Sequence, residues 1–431
     1  MQEKIILGVE DQQQVEKPVQ TEPALAQTSL QSEAKSSTAQ TKAKLHLADG
    51  MVIEGISFGA PISGAGEVVF NTGMVGYPES LSDPSYHGQI LVLTYPLVGN
   101  YGVPPSDLTA GFEKFFESEK IQIAGLIISD YAYEHHHWNA FDSLATWLQK
   151  HNIPALCEVD TRALTKKLRE TGTMLGKIVM AQDDHHNVHF YDPNQVEIGN
   201  YVSCKEVKEY PAEKKEGMVV EPRILLVDTG VKNNIIRCLT SRGATVIRVP
   251  WNYPFMDERE KGTIQFDALF YTNGPGDPKT FKETINQTKK ALTLPEDQAL
   301  PIFGICLGSQ ILALAAGADT YKLKYGHRSH NQPCLEVPIP GQVDKKRCFI
   351  TSQNHGFAVD EKTIPAGWRV WFRNVNDHSV EGIKHENELW QSVQFHPEAT
   401  GGPTDTEFLF DDFVKKGRAV KNDKQQRGGL Q

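Results

Sequence analysis

From Pro222 onward the chain alternates short, uninterrupted apolar runs with stretches of helical character, and few folds accommodate that order. Ile224-Leu-Leu-Val-Asp228 is followed by Asn234-Ile-Ile-Arg-Cys-Leu239, Thr245-Val-Ile-Arg-Val249 and Phe266-Asp-Ala-Leu-Phe-Tyr271. Strands that alternate with helices make a parallel sheet with helices on its faces. In such a sheet ligands sit beyond the carboxyl ends of the strands. Two segments fall there: Thr272-Asn-Gly274-Pro-Gly276-Asp-Pro278, and Cys306 after the apolar run Ile302-Phe-Gly-Ile305.

Cys306 lies between Gly304 and Gly308, which permit a sharp strand-to-helix turn that lifts the sulfur out of the backbone. A helix starting there, through Ile311-Leu-Ala-Leu-Ala-Ala316, aims its positive end at the sulfur and favours the thiolate, the form that attacks carbon. Later in the chain, Gln394-Phe-His396-Pro-Glu398 offers a base and a carboxylate to orient it. A lone buried cysteine usually only packs. The glycine pair, Gln310 one turn on, and the later His and Glu set Cys306 apart. Cys157, Cys204, Cys238, Cys334 and Cys348 have neither paired glycines nor CxxC spacing, and read as ordinary thiols.

Attack on an amide or ester carbonyl creates an oxyanion, which needs fixed N–H donors. The N–H of Leu307 is one candidate. Gly276 is another, because a residue without a side chain lets the backbone approach a substrate closely.

The 431 residues suffice for two or three domains. With 44 Lys and Arg against 54 Asp and Glu, a net charge of −10, and no basic stripe, the chain is not a nucleic-acid binder. No apolar stretch is long enough to span a bilayer, and six unpatterned cysteines do not form a disulfide framework, so a reducing, cytoplasmic setting is expected. Residues 1–42 are rich in Gln, Ser, Thr and Ala without periodicity and read as a disordered extension; they contain no arginine, unlike a transit peptide. Alternating and β-branched runs from Lys44, with helices near Ser143 and Arg162, predict a β-rich α/β domain over 43–184. A polar linker over 185–221, the α/β domain over 222–416 and a disordered tail over 417–431 complete the expected organisation.

No metal site is expected. His135 and His137 have i, i+2 spacing but no third ligand, and the pair His327 and His330 lacks a matching cysteine or carboxylate, so 326–330 reads as a loop beside the active site.

Gly304-Ile-Cys306-Leu-Gly-Ser-Gln310 with Phe395-His396-Pro-Glu398 resembles the class I, or triad, glutamine amidotransferases. Gly66-Glu-Val-Val-Phe-Asn-Thr-Gly-Met-Val-Gly-Tyr77, Asp83-Pro-Ser-Tyr86, Leu93-Thr-Tyr-Pro-Leu-Val-Gly-Asn100 and Asp160-Thr-Arg-Ala-Leu-Thr165 resemble the amino-terminal domain of carbamoyl phosphate synthetase small chains. The resemblance implies a glutaminase that forms a glutamyl thioester on Cys306, with His396 as general base and acid and Glu398 supporting it. It implies glutamine-binding positions at Ser85, Gly274, Gly276, Leu307, Gln310, Asn354, Gly356 and Phe357. It also implies ammonia delivery to a separate large chain, in a heterodimer or higher oligomer. That chain would use ATP, Mg2+ and bicarbonate to make carbamoyl phosphate for arginine and pyrimidine synthesis. No P-loop or ATP-grasp-sized region occurs here, so no cofactor is expected in this chain itself. Ser309 departs from the family, which usually has His there. Two other readings stay open: a stand-alone cysteine γ-glutamyl hydrolase, and a non-catalytic regulatory scaffold.

Overall fold

Period-two alternation opens the amino-terminal half, and its central strands are buried on both faces. In the computed structural model, which describes residues 41–109, 111–213, 221–338 and 347–428, that half contains β1 (Lys42–Leu47), β2 (Val52–Ser57), β3 (Gly64–Asn71) and β4 (Gln89–Leu93). It continues with a small hairpin, β5 (Leu108–Thr109) and β6 (Phe112–Glu113), then β7 (Gly125–Ile127), β8 (Ala155–Cys157) and β9 (Met174–Met180). Seven of these close into a barrel in the order β1-β2-β8-β7-β4-β3-β9. Val68, Phe70, Ile90, Val92, Ile127 and Leu156 form one core with Leu164 and Leu168 of α3 (Thr161–Thr171). Their neighbours Val69, Leu91, Leu93, Leu126 and Ala155 form the other, with Tyr77 and Leu81 of α1 (Tyr77–Ser82) and Leu144, Trp147 and Leu148 of α2 (Leu144–Lys150). Closure removes the sheet edges that would otherwise pair with other chains.

The second half is one mixed sheet of ten strands. It comprises β10 (Lys208–Tyr210), β11 (Arg223–Asp228), β12 (Thr245–Pro250), β13 (Ala268–Tyr271), β14 (Ile302–Ile305), β15 (Thr320–Glu336), β16 (Cys348–Val359), β17 (Trp368–Asn374), β18 (Val380–His385) and β19 (Trp390–Val393), in the order β10-β12-β11-β13-β14-β19-β18-β16-β15-β17. The run β12-β11-β13-β14-β19 is parallel, as the buried apolar runs predict, and the rest is antiparallel. Helices α4 (Gly199–Val202), α5 (Asn233–Thr240), α6 (Phe255–Glu260), α7 (Lys282–Leu292), α8 (Leu307–Ala316) and α9 (Phe408–Gly428) accompany the sheet. Strand order reverses at β11, with β12 on one side and β13 on the other. The loops after β11, β13 and β14 therefore open at one crevice.

Three expectations are corrected. The tail from 417 is not disordered: α9 runs to Gly428, its start anchored by buried Leu409, Phe410, Phe413 and Val414 and its later turns by Lys421 on the Glu221 carbonyl and Lys424 on Asp267 at 3.0 Å. The linker is folded over much of its length, because β10 adds an edge strand to β12 and Ile198 packs with Trp251 and Phe281; its residues 214–220 lie outside the described residues. Gly326 to His330 is strand, not loop, within β15. The extension 1–42 lies outside the described residues except for Thr41 and Lys42, and Lys42 already begins β1.

Candidate active site

Cys306 stands where β14 ends and α8 begins, held at φ +55°, a left-handed conformation that a non-glycine residue adopts only under constraint. The constraint is visible in its neighbours. Cys306 N–H donates to Val393 O at 2.9 Å and Gly308 N–H to Thr272 O at 2.9 Å, tying the turn to the strands on either side. A Cβ on Gly304 would come within 2.5 Å of the Gly308 carbonyl oxygen, and one on Gly308 within 2.3 Å of the Tyr271 oxygen. Only glycine lets the elbow close. The sulfur is buried at the amino end of α8, 3.5 Å from Asn354 O.

His396 and Glu398 follow β19, the strand parallel to β14, so the sheet places them beside the cysteine. His396 Nδ1 is 2.6 Å from Glu398 Oε1, which leaves Nε2 buried and free to exchange a proton with Cys306. Burial and the nearby Lys232 favour the neutral ring. The Glu398 carboxylate and Cys306 outweigh them and raise the His396 pKa to about 10. Burial likewise opposes charge on Glu398, yet Lys232 and His396 hold its pKa down at about 2.

Lys232 escaped the sequence reading. It precedes α5 in the loop after β11, and its Nζ lies 2.7 Å from Glu398 Oε1, with both side chains buried. Its pKa is raised: burial works against the charge, and Glu398, Asp83 and Glu117 overcome it. The signal was available, since Asp228-Thr-Gly-Val-Lys232 ends a parallel strand at the same edge as Cys306.

A cleft opens at the sulfur between the two halves of the chain. Ser85, Gly274, Gly276, Gln310, Asn354, Gly356 and Phe357 line it together with Cys306. Leu307 is the exception: its side chain packs with Ile198, Trp251, Phe281 and Ile311, so only its backbone is left for the oxyanion role expected of it. Gln310 Nε2 donates to Phe357 O and to Gln394 Oε1, each at 3.0 Å. Asp83, also missed, joins the halves. It accepts from Ser85 N–H at 2.9 Å and Asn354 Nδ2 at 3.2 Å, while Ser85 Oγ accepts from Asn273 Nδ2 at 2.8 Å. Glu67, paired with Lys322 at 2.6 Å, and buried Arg328 complete the wall.

Ser309 points elsewhere: it is buried and its hydroxyl lies 2.8 Å from that of Ser392. A second cavity behind His396 is lined by Glu79, Lys232, His330, Ser352, Gly401 and Gly402, among others. No helix among the described residues is long and apolar enough to cross a membrane.

A buried thiol at a helix start, a base aimed by a carboxylate, and a polar cleft suited to a small amide can together perform acyl transfer through a thioester. Two family descriptions match the chain: carbamoyl-phosphate synthase small chain, CPSase domain, over residues 45–178, and glutamine amidotransferase class-I over residues 225–416. The carbamoyl phosphate synthase arginine-specific small chain of Saccharomyces cerevisiae is 47% identical over 383 residues, covering 88% of this chain and 89% of that protein. Multifunctional protein CAD of Squalus acanthias is 51% identical over 380 residues, 88% of this chain and 16% of that protein. Multifunctional protein URA2 of Saccharomyces cerevisiae is 47% identical over 413 residues, 89% of this chain and 18% of that protein. The chain thus spans less than a fifth of these multifunctional relatives.

Proposed function

The chain belongs to the carbamoyl-phosphate synthase small-chain family, and on that premise we propose that it hydrolyses L-glutamine at Cys306 and passes the ammonia to a carbamoyl phosphate synthetase large chain. The observation that carries this reading is the line Cys306, His396, Glu398, Lys232 at the foot of a cleft that takes residues from both halves of the chain.

The Cys306 thiolate attacks the side-chain amide carbon of glutamine. Negative charge then gathers on the carbonyl oxygen, which the Leu307 and Gly276 N–H groups would stabilise. His396 donates its proton to the leaving nitrogen, the C–N bond breaks, and ammonia and a glutamyl thioester result. His396 then takes a proton from water as the water adds to the thioester carbon. The C–S bond breaks, which releases glutamate and regenerates the thiolate. Glu398 and Lys232 keep the ring oriented and its charge compensated throughout. Ser85, Gln310, Asn354, Gly356 and Phe357 bind the amino-acid end.

Free ammonia is quickly protonated in bulk water and then no longer attacks carbon. The cavity lined by His396, which shares Asn354 with the glutamine cleft, supports a sheltered route toward the partner. The barrel half also exposes Met74, Val75, Tyr133, Trp138 and Phe141, with Trp138 86% exposed, which supports a docking face there. ATP and Mg2+ would be used by the large chain.

The test is glutamine hydrolysis by the chain alone and with a carbamoyl phosphate synthetase large chain, with carbamoyl phosphate assayed in parallel. Hydrolysis stimulated by the large chain and coupled to carbamoyl phosphate is expected. Hydrolysis indifferent to the large chain would sink the partner, and none in either condition would sink the mechanism.

A further inference from the structure

Strands β15, β16 and β18 are neighbours in the antiparallel half of the sheet. His327 on β15 is the direct cross-strand partner of His355 on β16, and Glu381 reaches both from β18. All three are buried. His327 Nδ1 lies 3.3 Å and His355 Nε2 3.7 Å from Glu381 Oε1, and one nitrogen or oxygen from each of the three residues lies within 4.8 Å of the others. The spacing in sequence pairs His327 with His330; the sheet pairs it with residues from two other strands.

The outer nitrogens are already committed. His327 Nε2 faces Asp377 Oδ2 at 2.7 Å, and His355 Nδ1 faces Phe357 O at 2.8 Å. Both partners are oxygens that accept, so a neutral ring places its single N–H at that position. The bare lone pairs, on His327 Nδ1 and His355 Nε2, then turn toward the Glu381 carboxylate. Gln353 Oε1 adds another oxygen 3.2 Å from His355 Nε2. His327 Nδ1 and Glu381 Oε2 are buried without a hydrogen-bond partner. With both rings neutral, electron-rich atoms converge in the interior beside the Ser379 hydroxyl, a donor 3.2 Å from Glu381 Oε1, and unpaired polar groups are costly there. A cation at their centre resolves the conflict.

We propose that His327, His355 and Glu381 form a structural binding site for a first-row divalent cation, zinc above all. Two imidazoles and a carboxylate are a zinc donor set, and ligands about 2.0–2.1 Å from a tetrahedral ion stand roughly 3.3 Å apart. The His327 separation, 3.3 Å, matches that, and the His355 separation, 3.7 Å, is somewhat longer. The outer contacts of both rings match the pattern in which a metal-bound histidine gives its other N–H to a carboxylate or carbonyl. Gln353 Oε1 or a water fills the fourth position, and the charges of Asp377 and Glu381 balance the dication. The metal would tie three strands together at His355, which lies between Asn354 and Gly356 on β16 and itself lines the cleft. The inference stands apart from the proposed glutaminase activity.

The competing occupant is a proton, making His327 an imidazolium between Asp377 and Glu381. The full chain carrying Cys306→Ser, which removes the active-site sulfur as a ligand, is stripped with a chelator and titrated with zinc chloride. Cobalt(II) serves as the spectroscopic probe. One retained equivalent of zinc, a raised Tm and a tetrahedral cobalt spectrum without a thiolate charge-transfer band are expected. Glu381→Gln and His327→Asn in that background lose the equivalent. The proposal is overturned if the parent retains no zinc, if cobalt shows a thiolate band, or if both variants retain zinc as the parent does. It is equally overturned if nitrogen NMR of the zinc-treated parent finds His327 protonated on both ring nitrogens. The parent measurements decide the matter even where a variant fails to fold.

Discussion

One carboxylate oxygen serves two partners: Glu398 Oε1 lies 2.6 Å from His396 Nδ1 and 2.7 Å from Lys232 Nζ. The contacts fix the direction of the ring and place a cation from the loop after β11 behind a pair supplied by the segment after β19. Two loops of the same sheet thus meet at one carboxylate oxygen.

Removal of the nucleophile separates chemistry from assembly. Cys306→Ser is expected to abolish glutamine hydrolysis while the complex still makes carbamoyl phosphate from added ammonia. His396→Asn should lower glutaminase kcat by about 10²–10⁴, the range for a lost general acid and base. Parallel assays with glutamine and with ammonium salt check both.

Lys232→Met leaves a buried carboxylate short of its cation, and an unpaired buried charge typically costs about 3–5 kcal/mol. The Glu398 pKa in the folded chain is depressed, to about 2 from an ordinary 4.5. Its contribution to stability is therefore fully present above 4.5 and lost as pH falls toward 2. With Lys232 gone the depression shrinks, so the acid unfolding edge should move upward in pH. Denaturant midpoints measured across that window decide it.

His396 runs in the opposite sense. Its folded pKa is raised, to about 10 from 6.5, so the stability it contributes is complete below 6.5 and lost as pH rises through 10. The decline in Tm over that alkaline window should be shallower in His396→Asn than in the parent, as a calorimetric pH series would show.

Asp83→Ala removes the acceptor that Ser85 N–H and Asn354 Nδ2 share across the two halves. A stability loss of about 1–3 kcal/mol is expected from the buried donors left unpaired. KM for glutamine should rise more than kcat falls, because Ser85 and Asn354 are proposed to bind substrate. Steady-state kinetics with thermal melts test the split.

Ser309→Ala should leave glutamine hydrolysis near parental, because that hydroxyl contacts Ser392 behind the nucleophile and not the cleft. A loss near 1 kcal/mol is the size of one ordinary hydrogen bond. A large change in KM would show that the departure from the family's usual His reaches the substrate.

The parallel strands were legible because β11, β13 and β14 are apolar without interruption, and burial on both faces demands that composition. Cys306 was legible because the elbow is local: the two glycines that its tight turn requires lie within two residues of it. The tail was misread because polar composition outside a helix and along one carrying lysines looks alike until Lys421 and Lys424 are seen to reach the Glu221 carbonyl and Asp267. The edge strand β10 was missed because three residues carry too little pattern to mark a strand.

By itself the sequence determined the class of fold and pointed to the type of chemistry, since periodicity, glycine spacing and a turn before a helix act over a few residues. Only the tertiary structure decided which groups stand behind that chemistry: Lys232 on Glu398, Asp83 between Ser85 and Asn354, and His327 and His355 around Glu381. These contacts depend on strand order and register between distant segments, where a slip of one residue sends every side chain of a strand to the opposite face.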